Sequence, residues 1–231
     1  MNDNILFGSK KIEYHVAFSN RKTLGITVMP DLSVKVNAPI DSSIERVKEK
    51  LLKKAPWIIK QQSFFLSFQP RITERKYISG ETHLYLGRQY RLKIITGNIF
   101  SVKLKGQLLI VTIDDTSLTK VLVKSWYLKH AKSIFRRIAN PLIENFKKYH
   151  IEPSSIVLRE MPTRWGSCTP KGKIILNPEL VKAPKGCIEY VIIHELCHLI
   201  HHDHTQKFID LQTKEMPDWE KWKNKLEKLL A

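Results

Sequence analysis

Apolar and polar positions alternate along the front of the chain. Ile12–Phe18, Gly25–Met29 and Ser33–Asn37 carry apolar or β-branched residues at short, near-regular spacing, punctuated by Asn20, Pro30 and Asp31, and predict three strands. The period then changes. Ile44, Val47, Leu51 and Leu52 recur at helical spacing behind the capping residues Asp41, Ser42 and Ser43, with Glu45 in the acidic first turn. Pro56 is expected to interrupt this helix and Trp57–Phe68 to resume it. Tyr77–Ile78, His83–Leu86, Tyr90–Ile95 and Leu108–Ile113 read as further strands separated by glycine turns.

From about Thr119 the stripe Leu122, Trp126, Ala131, Ile134, Ile138, Leu142 and Phe146 predicts a long amphipathic helix, kinked or broken near Pro141. Ser155–Arg159 and Lys173–Leu176 read as two strands joined by Met161–Lys171, with Gly172 at the second bend. Residues 186–200 predict a strongly apolar helix and Asp218–Leu230 a last one. The expected fold class is therefore α+β. A β-rich basic region with a helical insert, residues 1–117, precedes a compact catalytic unit, residues 118–231. No internal repeat is visible.

Composition narrows the class. The chain has 231 residues, 42% hydrophobic and 26% charged, enough for one or two globular domains. No apolar run reaches the roughly 18 residues of a membrane span, and the start MNDNILFGSKK does not read as a signal peptide. Three cysteines, Cys168, Cys187 and Cys197, suggest a reducing cytoplasm rather than a disulfide framework. Of the 39 basic and 22 acidic residues, 12 and 11 lie from residue 151 onward, so +16 of the +17 net charge belongs to residues 1–150. Such a field favours polyanions, nucleic acid or a nucleotide, although no nucleic-acid motif accompanies it. A solvated lysine-rich surface explains it equally well.

The candidate chemistry lies in the apolar helix. His194 and His198 are four residues apart, so their imidazoles lie on one face, about 6 Å apart along the axis, and can converge on one ion. Glu195 follows the first histidine and can reach a water on that ion as general base. A third ligand must come from chain that has turned back. His202 on an unbroken helix would stand about 12 Å along the axis from His194, and His201 fails likewise, so both read as a solvated helix end. Among His204, Glu215, Asp218 and Glu220, His204 is the choice, beyond the expected terminator Asp203, and Glu215 comes next. Three imidazoles leave a position open, as in catalytic zinc sites. Cys197 reads as core packing, and Cys168 and Cys187 are too far apart for a zinc ribbon.

Several runs together carry a family resemblance. Arg164–Cys168 (RWGSC), Ile174–Asn177, Tyr190–Leu199 (YVIIHELCHL) and Asp203–Thr205 resemble the YgjP-like metallopeptidases, relatives of the SprT-like and WLM zinc proteases. Gly80–Gly87 (GETHLYLG) is similar to the same family, so the resemblance spans most of the chain, densest in the back half. It implies a zincin-like catalytic unit with HExxH on a buried helix, one zinc per chain on His194, His198 and His204, and Glu195 as base. Asp203 and Thr205 depart mildly from the Asn and Ser common in the family. Arg164 is a candidate contact for a substrate carboxylate or the oxyanion. A structural role for its run is the stronger reading, with Trp165 plugging the core and Gly166 making a tight turn. Asn177 is left unassigned between a loop anchor and a simple turn. The expected activity is peptide-bond hydrolysis on a protein or peptide substrate. The alternatives are a metal-dependent nucleotide or phosphate-ester hydrolase and a nucleic-acid-associated protease.

Overall fold

A computed structural model of the chain describes residues 2–8, 10–29, 32–66, 75–161 and 164–230. It divides into two compact units, residues 1–72 and 73–230. Pro30, Asp31 and residues 67–68 of the expected helix lie outside the described residues.

In the first unit β1 (Asn2–Phe7) pairs antiparallel with β2 (Lys10–Ser19), β2 runs parallel to β4 (Val34–Pro39), and β3 (Gly25–Val28) closes the far edge antiparallel to β4. The alternation seen in the sequence becomes a buried face. Ile12, Tyr14 and Val16 of β2 and Val34, Val36 and Ala38 of β4 all point inward. Against them lies α1 (Ile44–Leu66), which buries Val47, Leu51, Ala55 and Ile58 at helical spacing. Pro56 does not interrupt α1. It sits on the exposed face, where water can satisfy the freed carbonyl, while the buried stripe passes it in register.

The second unit begins with a sheet of the same strand order and pairing sense. β5 (Thr82–Tyr85) and β6 (Arg88–Thr96) are antiparallel, β6 and β8 (Leu108–Ile113) parallel, and β7 (Ser101–Lys105) lies antiparallel to β8. The topology thus repeats where the sequence shows no repeat, because strand order follows from connection and burial rather than from residue identity. Tyr77–Ile78 form no strand. Tyr77 has a left-handed φ of 57°, and the Glu81 carboxylate accepts the N–H groups of Lys76 and Tyr77, each at 2.9 Å.

α2 (Thr119–Phe146) continues through Pro141 without a break. Its inner stripe of Val123, Tyr127, Ala131, Phe135 and Ile138 shares one core with Leu92, Leu109, Val111 and Ile113 of the sheet. That shared burial is why the compact division falls at Ile72/Thr73 and not at the 117/118 boundary expected from the change of period. Beyond it, β9 (Ser155–Leu158) runs parallel to β11 (Lys173–Leu176), and β10 (Gly166–Cys168) adds to β11 as an antiparallel edge. α3 (Lys185–Cys197), α4 (Gln206–Glu215) and α5 (Trp219–Leu230) complete the unit. The short strand β10 and the helix α4 were not anticipated from periodicity.

Candidate metal centre

α3 is buried along almost its whole length. Cys187, Ile188, Val191, Ile192, Ile193, Leu196 and Cys197 enter the core, so the helix has no solvent face to speak of. His194 and Glu195 stand in its last turn, and His198 caps its C-terminus. The chain then turns through residues 201–205 into α4, with the His201 N–H bonded to the Cys197 carbonyl at 2.9 Å. This turn returns His204 to the face of His194.

The three histidines come together. His194 Nε2 lies 3.2 Å from His198 Nε2 and 3.1 Å from His204 Nε2. One nitrogen from each ring falls within 4.8 Å of the others. Phe208, fully buried on α4, packs beneath all three, with ring centroids 4.6–5.0 Å away.

Hydrogen bonds on the far side of two rings set their tautomers. His194 Nδ1 meets the Gln212 side-chain oxygen at 2.7 Å, and His198 Nδ1 meets the His201 carbonyl at 3.2 Å. Both partners are acceptors, so each Nδ1 carries the proton and each Nε2 presents a lone pair to the shared centre. Burial presses the His194 pKa down to about 4, against the opposing Gln212 bond, and lowers that of His198 as well. Neutral imidazoles with facing lone pairs repel one another unless a cation lies between them. The two separations from His194 match the roughly 3.3 Å that tetrahedral bonds of about 2.0–2.1 Å to one zinc would impose. The donor set therefore fits a zinc-like ion.

Glu195 is 5% exposed and points to the same cavity. Burial raises its pKa to about 7, opposed by the charge of Arg164 and by a hydrogen bond from the Cys168 backbone N–H. Gly166 makes the approach of β10 possible. A Cβ there would stand 2.5 Å from Glu195 Oε1 and 2.8 Å from Val191 Cγ1. Gly166 has no positive φ, so its role is close packing in a strand rather than the tight turn expected. Trp165 is half-buried, packed against the core and lining the cavity together with exposed Arg164.

The remaining candidates add no side-chain ligand atom to the cluster. His202 lines the cavity, while His201 contributes only its carbonyl. Glu215 is held by Asn145, Lys148 and Tyr149 at 2.6–3.0 Å, and Asp218 accepts from Trp222 Nε1 at 2.8 Å. Cys187 and Cys197 are buried in the core, whereas Cys168 lies half-buried on the cavity wall. Asn177 anchors the loop before the site. Its Nδ2 donates to the Met161 and Arg164 carbonyls at 2.8 and 3.1 Å, and its Oδ1 caps the turn at Glu179 at 3.2 Å. Gln212 and Phe208 had no signal in the sequence beyond their helical spacing on α4.

The cavity over these residues holds about 730 Å³, with β10 as one wall. Residues 22–229 match a family model described as YgjP-like, metallopeptidase domain. No curated protein matches the chain.

Proposed function

The chain belongs to the YgjP-like metallopeptidase family, and on that premise we propose that it is a zinc-dependent, zincin-like peptidase built around HExxH on the buried helix α3. In this reading His194, His198 and His204 hold the metal and Glu195 is the general base. The observation that carries it is the convergence of three imidazole nitrogens whose protons are turned outward on His194 and His198. A zinc ion, when bound, supplies an acidified water and a Lewis-acid contact to the scissile carbonyl.

The chain's own residues do the rest. Glu195, buried and near neutrality in pKa, accepts the proton of the attacking water and returns it to the leaving amine nitrogen. Arg164 contributes positive charge on the cavity wall, suited to a substrate carboxylate or to the developing oxyanion. β10 pairs only with β11 among the described strands, so apart from the Cys168 N–H bonded to Glu195 its outer edge can take an extended peptide.

The test is Glu195→Gln with metal analysis of both proteins. Turnover of unstructured protein substrates should fall by at least about 10²-fold, with zinc content unchanged. Full activity in the variant would reject the base. Parallel assay of nucleoside triphosphates separates the phosphate-ester alternative, for which the all-imidazole donor set offers no support.

A further inference from the structure

A second cavity, of about 670 Å³, opens in the first unit, between the turn from β2 to β3 and the N-terminal turns of α1. Its walls carry Arg21 and Lys22 from that turn and Arg46 and Lys50 from α1, against Asp41 as the one acidic lining residue. Arg46 and Lys50 are four residues apart and so share a helix face. None of the four cations makes an ion pair among the described residues; the neighbouring Glu49 is bonded to Lys53 at 2.8 Å and feels Arg46 and Lys50 only through their charge.

Concentrated like charge without a partner is costly, and natural surfaces usually intersperse the two signs. One group here bears a further cost. Arg21 Nε is buried and has no hydrogen-bond partner, whereas buried polar atoms are satisfied in the great majority of cases. The Arg21 guanidinium is placed by packing: it lies over Gly25, where a Cβ would stand 3.1 Å from Nη2. The positive end of the α1 dipole adds to the field at Ser42 and Arg46. The Arg21 guanidinium, two further cations from one helix face and a helix N-terminus together turn positive charge toward the cavity and suit a phosphate oxygen fork.

We propose that this cavity binds a phosphoryl group, held by Arg21, Arg46 and Lys50. The volume lies within the usual range for small-molecule sites of roughly 300–1,000 Å³, so it accommodates a larger ligand than a lone oxyanion. The phosphoryl group can come from a small phosphate ester or from a nucleic-acid backbone. The inference does not depend on the peptidase reading, since every residue it uses lies in the other unit.

The experiment is a titration of the full-length, metal-loaded protein, followed by amide chemical shifts, first with inorganic phosphate and then with a fluorescein-labelled single-stranded oligonucleotide. Saturable shifts at Lys22, Thr23 and Ser42 are expected, with binding weakened at least about tenfold in Arg21→Gln and in Arg46→Gln. A control pair, Lys103→Gln and Lys105→Gln, removes exposed charge on β7 and should leave binding unchanged. Phosphate that competes with the oligonucleotide, whose affinity then falls steeply with salt, identifies a backbone phosphate as the source. Phosphate binding without oligonucleotide binding identifies a small ester. Absence of saturable shifts at these amides with either probe overturns the proposal. So does binding that survives in both arginine variants, or that the β7 variants reduce equally.

Discussion

A methyl group at position 166 would press on Glu195 Oε1 and Cγ and on Val191 at 2.5–2.9 Å, and Glu195 is buried too deeply to step aside. Gly166→Ala is therefore expected to cost about 1–3 kcal/mol of stability by overpacking. It should also lower kcat by roughly 10²-fold through misplacement of the carboxylate, with zinc content intact. Thermal melts beside steady-state kinetics check this, and unaltered kcat would show that Glu195 does not depend on the gap. Gln212 acts one step further out. Gln212→Leu removes the acceptor that holds the His194 proton on Nδ1, and zinc affinity should fall about 10–100-fold. Competition with a chromophoric chelator measures it, and unchanged affinity would remove Gln212 from the metal's support. Both residues explain the limits of reading the sequence. The spacing of His194 and His198 follows from local helix geometry, but Gln212 is eighteen positions from its partner, and no local rule links them.

α4 shows how one amphipathic element can organise a cluster of imidazoles to which it contributes no nitrogen. Its buried face places Phe208 under the three imidazoles and Gln212 behind His194. Its last residue, Glu215, ties it to the end of α2 and the turn after it through Asn145, Lys148 and Tyr149. Burial alone would raise the Glu215 pKa, but these donors outweigh it and hold the carboxyl below its usual value. A depressed folded pKa means that the stabilisation is present above the unfolded value of about 4.3 and is lost as pH falls through the folded one. Glu215→Ala is expected to destabilise the protein by about 2 kcal/mol at pH 7, and the gap from wild type should close below about pH 4. Denaturant melts at a series of pH values read this directly, and a gap independent of pH would mean that the carboxylate charge contributes nothing. Periodicity missed α4 and β10 for different reasons. β10 is only three residues long, and the apolar face of α4 is too narrow to stand out from the polar residues around it.

At the scale of the molecule the two units keep separate cores, and metal removal should act on one of them. An ion present at about 100 times its dissociation constant stabilises the state that binds it by about 2.7 kcal/mol. Chelation is therefore expected to reduce hydrogen-exchange protection in α3 and α4 and to leave that of α1 unchanged. Equal loss in both units would contradict it. Much of this architecture was legible from the chain alone: alternation marked β2 and β4, helical spacing marked α1 and α2, and the His-Glu-x-x-His run marked where the histidines gather. Those features are local, set by a period of two or 3.6 residues and by the reach of side chains one turn apart. Pro56 misled because it sits where burial of the opposite face outweighs a lost hydrogen bond, and α2 likewise passes Pro141 unbroken. Only the folded chain decided where the compact units divide, that one sheet order is used twice, and that Gly166, Gln212 and Phe208 meet the histidines. Such contacts join residues far apart in sequence, and their free energy comes from packing that no short window of sequence contains.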